Sequence, residues 1–465
     1  MAGLMTQSAE HAIVVGASLG GLCAARVLSD VFDRVTIFER DELPDGPANR
    51  PAVPQGRHVH LLMARGAQEF ESLFPGLLDD MVAAGVPILE NRPDCIHFGA
   101  AGHVLGTQHR LQNEFTAYVP SRPHLEWQIR RRVLDIANVT LVGEGVDEPV
   151  YDGRRVTGVT VAGSTVDADL VVDATGRGTR LPVWLEQWGF ARPPEDTVNV
   201  GIGYATHQVR IPEGLFAEKV VVAGASREQP VGLGMLYYED GTWGLTTFGI
   251  AKVEPPKDFD GMCALADEIL PTHVSSALRQ GEPIGDVAFH KYPTSRWRRY
   301  DKLDRFPDGI MPFGDAVASF NPTFGQGMTM TSLQAGHLQR ALREPGESLG
   351  LTFAKATAKT TWPVWTMNAI GDLVLHRAEG SMPWWYRPVG SLFDQFLGAA
   401  ETDPVLAEWF LRRFSLLDNL YMVPSAKLVG RTVRHNMRLW AAERRGRTRS
   451  RRSPGTVASA PATSA

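Results

Sequence analysis

The chain has 465 residues, 43% of them hydrophobic and 21% charged, with a formal net charge of −5. That length exceeds one compact core and predicts intertwined domains, while the composition is that of an ordinary globular protein and the charge balance argues against a general nucleic-acid binder. Three scattered cysteines (Cys23, Cys95, Cys263) show neither metal spacing nor a disulfide framework and suggest a reducing, cytoplasmic setting, and no apolar run approaches the ~18 residues of a transmembrane helix.

Residues 1–10 read as a loose leader, without the basic and apolar regions of a signal peptide. From His11 to Arg40 the pattern is strand, glycine turn, helix, strand. Ile13-Val14-Val15 is the β-branched run of a strand buried on both faces. Gly16-Ala17-Ser18-Leu19-Gly20-Gly21 follows at once and opens a helix, whose free N–H groups and positive dipole end suit a pyrophosphate. Gly16 permits the sharp turn, and Gly21 lets the helix pack close to the strand. Glu39, 18 positions after Gly21, ends the second strand, where a carboxylate can accept ribose hydroxyls. Ser18 stands where the fingerprint has its middle glycine. These features predict a dinucleotide site; the competing reading is a strand–helix turn with no ligand.

Residues 41–60 are loop-like, and 61–84 return to helical periodicity. Residues 95–120 read as strands around a turn at Gly99 to Gly102. Residues 121–137 carry Leu125, Ile129, Val133 and Leu134 on one helical face behind a Ser121 cap. Short strands follow from Val139 to Val172. Residues 197–253, with the Glu239-Asp240-Gly241 turn between two β-rich runs, predict the antiparallel sheet of a second domain. Residues 351–440 read as mostly helical, with tryptophans at 362, 365, 384, 385 and 409 that pack as core or cap a tunnel. Residues 444–465, an arginine cluster followed by Ser, Pro and Ala, predict a disordered basic tail, read first as solvated and otherwise as able to touch an anionic membrane surface or a polyanion.

Two later segments bear on the ligand. Val171 to Arg180, VVDATGRGTR, ends a buried strand in a glycine-bearing turn, so backbone can approach a ligand at the carboxyl edge of the sheet. Gly314 to Met328, GDAVASFNPTFGQGM, places Asp315 just past a strand, where it can bind sugar-like hydroxyls. Gly325-Gln326-Gly327 then opens an apolar helix whose N-terminus can face an electron-rich ring. The alternatives are a plain strand-end turn and an ordinary N-cap.

In this order, GASLGG, DATGRGTR and GDAVASFNPTFGQGM resemble the fingerprints of FAD-dependent monooxygenases of the para-hydroxybenzoate hydroxylase-like fold, over about residues 11–340. RPAVPQGRHVHLL at 50–62, with FNPTFGQGM, resembles more closely a bacterial subgroup containing flavin epoxidases of polyether polyketide pathways. The resemblance implies an α/β (α+β) architecture. A Rossmann-like FAD-binding domain (11–75, 121–195, 306–345) would be interleaved with an antiparallel-sheet substrate domain (76–120, 196–305). A helical C-terminal region (346–443) would precede the tail. It implies FAD contacts from Gly16, Ala17, Ser18, Leu19, Gly20 and Gly21 at the pyrophosphate, from Glu39 with Arg40 at the ribose, and from Val146 near adenine. Arg122 would reach the phosphate–ribitol region and Asp315 the ribitol hydroxyls, with Ala174, Thr175 and Gly176 nearby. Pro322, Gly325, Gln326, Gly327 and Met328 would meet the isoalloxazine, and Gln55 and Arg57 belong to a loop that could reach it. His58 and His60 either approach the flavin from that loop or form a solvated pair.

The flavin would carry the chemistry, so the resemblance implies no protein nucleophile and no metal. Through a flavin C4a-hydroperoxide, one atom of O2 would enter a lipophilic small molecule, a polyketide-like natural-product intermediate, by epoxidation or hydroxylation. DATGRGTR departs from the D-G-x-x-S-x-x-R pattern that also positions NADPH, which leaves NAD(P)H or a separate flavin reductase as the electron source. The substrate would lie between the FAD domain and the sheet, with Tyr204, Met235, Tyr237, Trp243 and Phe248 as wall candidates. The rival readings are an FAD-dependent dehydrogenase or reductase of a lipid-like substrate, a flavin halogenase, and a non-catalytic flavoprotein. The halogenase is disfavoured because W-x-W-x-I-P is absent: Trp184/Trp188 and Trp362/Trp365 have the wrong spacing.

Overall fold

The computed structural model describes residues 10–51, 53–91, 94–343, 348–376 and 378–450. Residues 1–9 of the leader expected at 1–10 and residues 451–465 of the tail expected at 444–465 lie outside the described residues. In chain order the main strands are β1 (His11–Val15), β2 (Arg34–Phe38), β3 (Ile96–Ala100), β4 (His103–Val104), β5 (Val139–Val142), β6 (Leu170–Asp173), β7 (Ile202–Arg210), β8 (Val220–Ala223), β9 (Val231–Tyr237), β10 (Trp243–Gly249), β11 (Glu282–Tyr292) and β12 (Ile310–Pro312). The helices that matter for the site are α1 (Leu19–Leu28), α2 (Arg122–Leu134), α3 (Phe259–Ile269), α4 (Thr272–Leu278), α5 (Gly327–Arg343), α6 (Leu349–Ile370), α7 (Tyr386–Ala400), α8 (Pro404–Phe414) and α9 (Ala426–Ser450).

A parallel sheet of order β12-β6-β1-β2-β5 forms the first layer. Its central strand is apolar throughout because it is covered twice. Ala12 and Val14 join a core containing Leu22, Ala25 and Leu338, whereas Ile13 joins another with Val171, Leu181 and Ile310. Val15 pairs with Phe38 on one side and Asp173 on the other, and Asp173 pairs with Pro312. The carboxyl ends of β1, β2, β6 and β12 therefore finish level with one another.

The second sheet has the order β11-β7-β10-β9-β8-β3-β4. It is antiparallel as expected, except that β3 and β8 run parallel. Those two strands come from separate insertions into the first domain, so no hairpin dictates their sense. Alternation divides the sheet into two faces. Leu233, Met235, Trp243 and Leu245 point to an outer core with Met262, Ala266, Val274 and Leu278 of α3 and α4, and Tyr237 packs against it. Tyr204 and Phe248 point the other way, into the core shared with the first domain. Of the five wall candidates, Met235, Tyr237 and Trp243 thus belong to the face that α3 and α4 cover.

The C-terminal helices pack in two ways. α6 lies on α5, and its Trp365 sits 6.0 Å from Trp297 and 6.1 Å from Phe320. α7 and α8 instead close over Phe98 and Leu105 with Phe396, Leu397, Leu406 and Phe410. Trp384 is 85% exposed, so the tryptophan-rich stretch is only partly core. α9 runs to Ser450, so residues 444–450 of the expected tail continue a helix.

Candidate functional site

At the end of β1 the backbone turns at Gly16, with φ +103°. A Cβ on Gly21 would stand 1.8 Å from the Gly16 carbonyl oxygen, so only glycine permits this helix–strand approach. Ser18 precedes α1 in extended conformation and its side chain does not cap the helix. The first-turn N–H groups are therefore left for another acceptor, as an anion site requires. The Ser18 hydroxyl accepts from Arg122 at 3.1 Å and lies 3.5 Å from Glu126 Oε2.

A buried ion network surrounds this turn. Glu39 Oε2 accepts from the Ala17 N–H at 2.8 Å and from Arg50 at 3.0 Å. Arg50 Nε donates to Glu126 Oε1 at 2.9 Å, and Arg122 pairs with Glu126 Oε2 at 2.7 Å. Burial alone would push the Glu126 carboxyl up; Arg122 and Arg50 overcome it and hold the group below its ordinary value. The second terminal nitrogen of Arg50 is buried without a hydrogen-bond partner among the described residues. Such an orphan donor beside Glu39 fits an oxygen-rich ligand. Arg50 was not singled out in the sequence, because its partner Glu126 is 76 residues away.

The second and third motifs meet the first. The Ala174 N–H donates to Val15 O at 3.0 Å and the Phe313 N–H to Asp173 O at 2.9 Å. A Cβ on Gly20 would lie 3.7 Å from the Phe313 ring, and one on Gly176 would lie 3.9 Å from Asp315 Cβ. Asp173 fastens its own turn through the Thr175 N–H and the hydroxyls of Thr175 and Thr179. Arg298, also unanticipated, ties the two turns together. It donates to Ala316 O at 3.3 Å and to Arg177 O at 2.8 Å. Burial raises the Asp315 carboxyl, opposed by Arg177, Arg122 and Arg298. A carboxylate in that position suits hydroxyl donors.

Farther along, Asn321 Oδ1 caps the turn Pro322–Phe324 through the Thr323 N–H at 2.9 Å, and its amide donates to buried Asp372 at 2.7 Å. Gly325 is left-handed (φ +66°), and Gly327 begins α5 facing open space. The Gln326 side-chain oxygen is buried without a partner among the described residues. A helix start that a Cβ would not obstruct, beside an orphan polar atom, fits a planar polar ring edge. Met328 is partly buried against the main core.

The segment Leu61 to Met63 covers this turn: a Cβ on Gly325 would lie 2.9 Å from Met63 Cε and 3.9 Å from Leu61. The same two residues line an apolar pocket with about 910 Å³ of empty space, its open mouth included. Ile96 and Phe98 of β3, Val220 of β8, and Leu411 and Phe414 of α8 complete its walls. Its wall from α8 was invisible in the sequence, since nothing local marks α8 as a neighbour of β3.

The remaining candidates divide. Gln55 and Arg57 are exposed in the turn Pro54–Arg57. His58 is buried, not a member of a solvated pair. Its Nδ1 lies 2.7 Å from Thr206 Oγ1 and its ring meets Tyr204 edge-on at 4.3 Å. Burial, followed by His60, His290 and Arg57, lowers its pKa to about 3, so the ring is neutral. His60 is lowered to about 4 by burial and Arg122, and its Nδ1 sits 2.8 Å from His58 O. Val146 packs beside Val15, Phe38 and Val142, and Arg40 is exposed near Gly145.

The Mycobacterium Rv3254 C-terminal domain family matches residues 380–446, the segment that supplies α7, α8 and most of α9. Protein Rv3254 of Mycobacterium tuberculosis is 66% identical over 98% of this chain and 100% of its own length. Kynurenine 3-monooxygenase of Salinispora arenicola is 26% identical over 70% of each chain. Among solved structures, the flavin-dependent brominase Bmp2 superposes with TM-score 0.62 at 15% identity, covering 94% of this chain and 100% of that one. The p-nitrophenol 4-monooxygenase PnpA of Pseudomonas putida DLL-E4 gives 0.60 at 18% identity, with 88% and 98% covered. At such identities these likenesses establish the fold alone. With a whole-length relative, a C-terminal domain match and the three converging turns of an FAD-dependent monooxygenase fold, the chain belongs to the Rv3254 family.

Proposed function

We propose that this chain is an FAD-dependent monooxygenase that inserts one oxygen atom into a lipophilic small molecule by epoxidation or hydroxylation. The observation that carries the reading is the convergence of residues 16–21, 173–179 and 314–328 at one sheet edge beside an apolar pocket. When bound and reduced, FAD supplies activation of O2 for transfer to an electron-rich carbon. The chain's own residues do the rest. The uncapped start of α1, with Gly16 to Gly21, holds the pyrophosphate. Glu39 and Arg50 hold the adenosine ribose, Arg122 neutralises phosphate, and Asp315 accepts ribitol hydroxyls. The N-terminus of α5 stabilises negative charge on the isoalloxazine edge. Leu61 to Met63 and α8 keep water from the substrate, and neutral His58 braces the loop on the sheet through Thr206.

The apolar pocket walls support a polyketide-like natural-product intermediate as the substrate class, and DATGRGTR supports a separate flavin reductase as the electron donor in preference to direct NAD(P)H reduction. Purified protein should carry FAD or take it up. Reduction by NADPH alone should be slow and should accelerate with an added flavin reductase. Under oxygen-18 gas, a lipophilic alkene or electron-rich aromatic should gain one labelled atom. Protein that neither carries nor binds FAD refutes the proposal, and unlabelled oxidised product would assign a dehydrogenase.

A further inference from the structure

Along α9 the apolar residues Val429, Val433, Met437 and Trp440 recur at spacings of four, four and three, which places them on one helical face. They are 45%, 53%, 65% and 55% exposed. The helix also carries eight Lys and Arg against one acid, Glu443, within a chain whose net charge is −5. Lys427, Arg434 and Arg438 gather on a second, exposed flank. A third side faces the protein. The Asn436 amide donates to Gln395 O at 3.1 Å, Arg431 pairs with Asp403 at 2.6 Å, and His435 lies 2.8 Å from the Thr402 hydroxyl.

We propose that α9 docks the protein on an anionic lipid bilayer surface. Val429, Val433, Met437 and Trp440 enter the headgroup–acyl boundary, and the flanking arginines meet lipid phosphates. A helix held by one side, apolar on a second and cationic on a third has the form of an interfacial anchor. Charge decides the occupant. A second copy would bring two strongly cationic helices together, whereas acidic headgroups neutralise them. No helix among the described residues is long and apolar enough to cross a membrane, so the contact is peripheral. The anchor also adjoins the pocket. Asp403, the partner of Arg431, caps α8 through the N–H groups of Val405 and Leu406, and α8 supplies Leu411 and Phe414 to the pocket wall.

The test is co-sedimentation of the full-length protein with vesicles of phosphatidylcholine alone or mixed equally with phosphatidylglycerol, and it uses no activity readout. The protein should pellet with the mixed vesicles only, and less so as salt rises. The double variant Val433→Glu/Met437→Glu should bind at least about ten-fold more weakly. Arg434→Glu/Arg438→Glu should lose about as much, both with unchanged melting temperature. Equal partitioning to both vesicle types, or full binding by the Glu variants, overturns the proposal. So does a dimer in analytical ultracentrifugation that Met437→Glu dissociates, because a second copy would then cover the face.

Discussion

Arg50→Met keeps most of the side-chain volume and deletes the charge that joins Glu39 to Glu126. The guanidinium is only 3% exposed and bonds those carboxylates at 3.0 and 2.9 Å. After substitution Glu126 keeps Arg122 at 2.7 Å, and Glu39 keeps the N–H groups of Ala17 and Asp41 at 2.8 and 3.0 Å. Breaking a buried pair costs about 3–5 kcal/mol when the remaining charge is uncompensated. Here each carboxylate retains a partner, so the lower figure applies. At roughly 2 °C per kcal/mol for a large domain, the melting temperature should fall by about 6 °C in a thermal-shift assay. The double variant Arg50→Met/Glu126→Gln should lose less than the sum of the singles by at least about 1 kcal/mol, because both act on one network. The pH dependence adds a sign. Glu126 titrates below its ordinary value when folded, so its contribution is complete above the ordinary carboxylate range and disappears as pH falls through the folded value. Without Arg50 the folded value rises, so that loss is complete at a higher pH. A variant melting within about 1 °C of the parent, with additive doubles, would show that the network does not hold the turn.

Gly21→Ala should yield protein without flavin absorbance, since the new methyl would meet the Gly16 carbonyl at 1.8 Å. His58 and His60 titrate well below 6.5 when folded, so the unfolded chain binds more protons between about pH 6.5 and 4 and stability falls on acidification there. His58→Gln should flatten that slope by up to ~1.4 kcal/mol per pH unit, read from urea melts across the window. Ala407→Trp should fill the pocket and lower affinity for an apolar fluorescent dye by about ten-fold or more, with FAD content unchanged. Met235→Ala should instead cost about 2–5 kcal/mol of stability and leave dye affinity intact, because Met235 packs under α3 and α4.

The parts of the site legible in the sequence are those whose physics is local. A glycine turn between strand and helix declares itself within a dozen residues, and Gly16 to Gly21, Asp173 to Thr179 and Gly314 to Met328 form neighbouring turns at one edge. Arg50 and Arg298 escaped notice because each acts on groups far along the chain, Glu126 for one and Arg177 for the other. The second sheet shows a different limit. Alternation groups Met235 with Trp243 and Tyr204 with Phe248, but it cannot say which group meets the first domain. That choice is made by α3 and α4, whose apolar sides claim one face. The α8 wall of the pocket belongs to the same class: an amphipathic helix advertises that it packs, and not on what.

The order of the parallel sheet has a consequence for biogenesis. β1 is synthesised first and lies in the middle, and its neighbours arrive from residues 34, 170 and, at the far edge, 310. At ribosomal speeds of about 5–20 residues per second, the last of these strands emerges roughly 15–60 s after the first. From its own emergence until β12 arrives, β6 presents an unpaired margin, and the third turn does not yet exist. If FAD is held as proposed, its full capture is a late event in the life of the nascent polypeptide, and a chain terminated before residue 310 would offer the nucleotide the first two turns without the third.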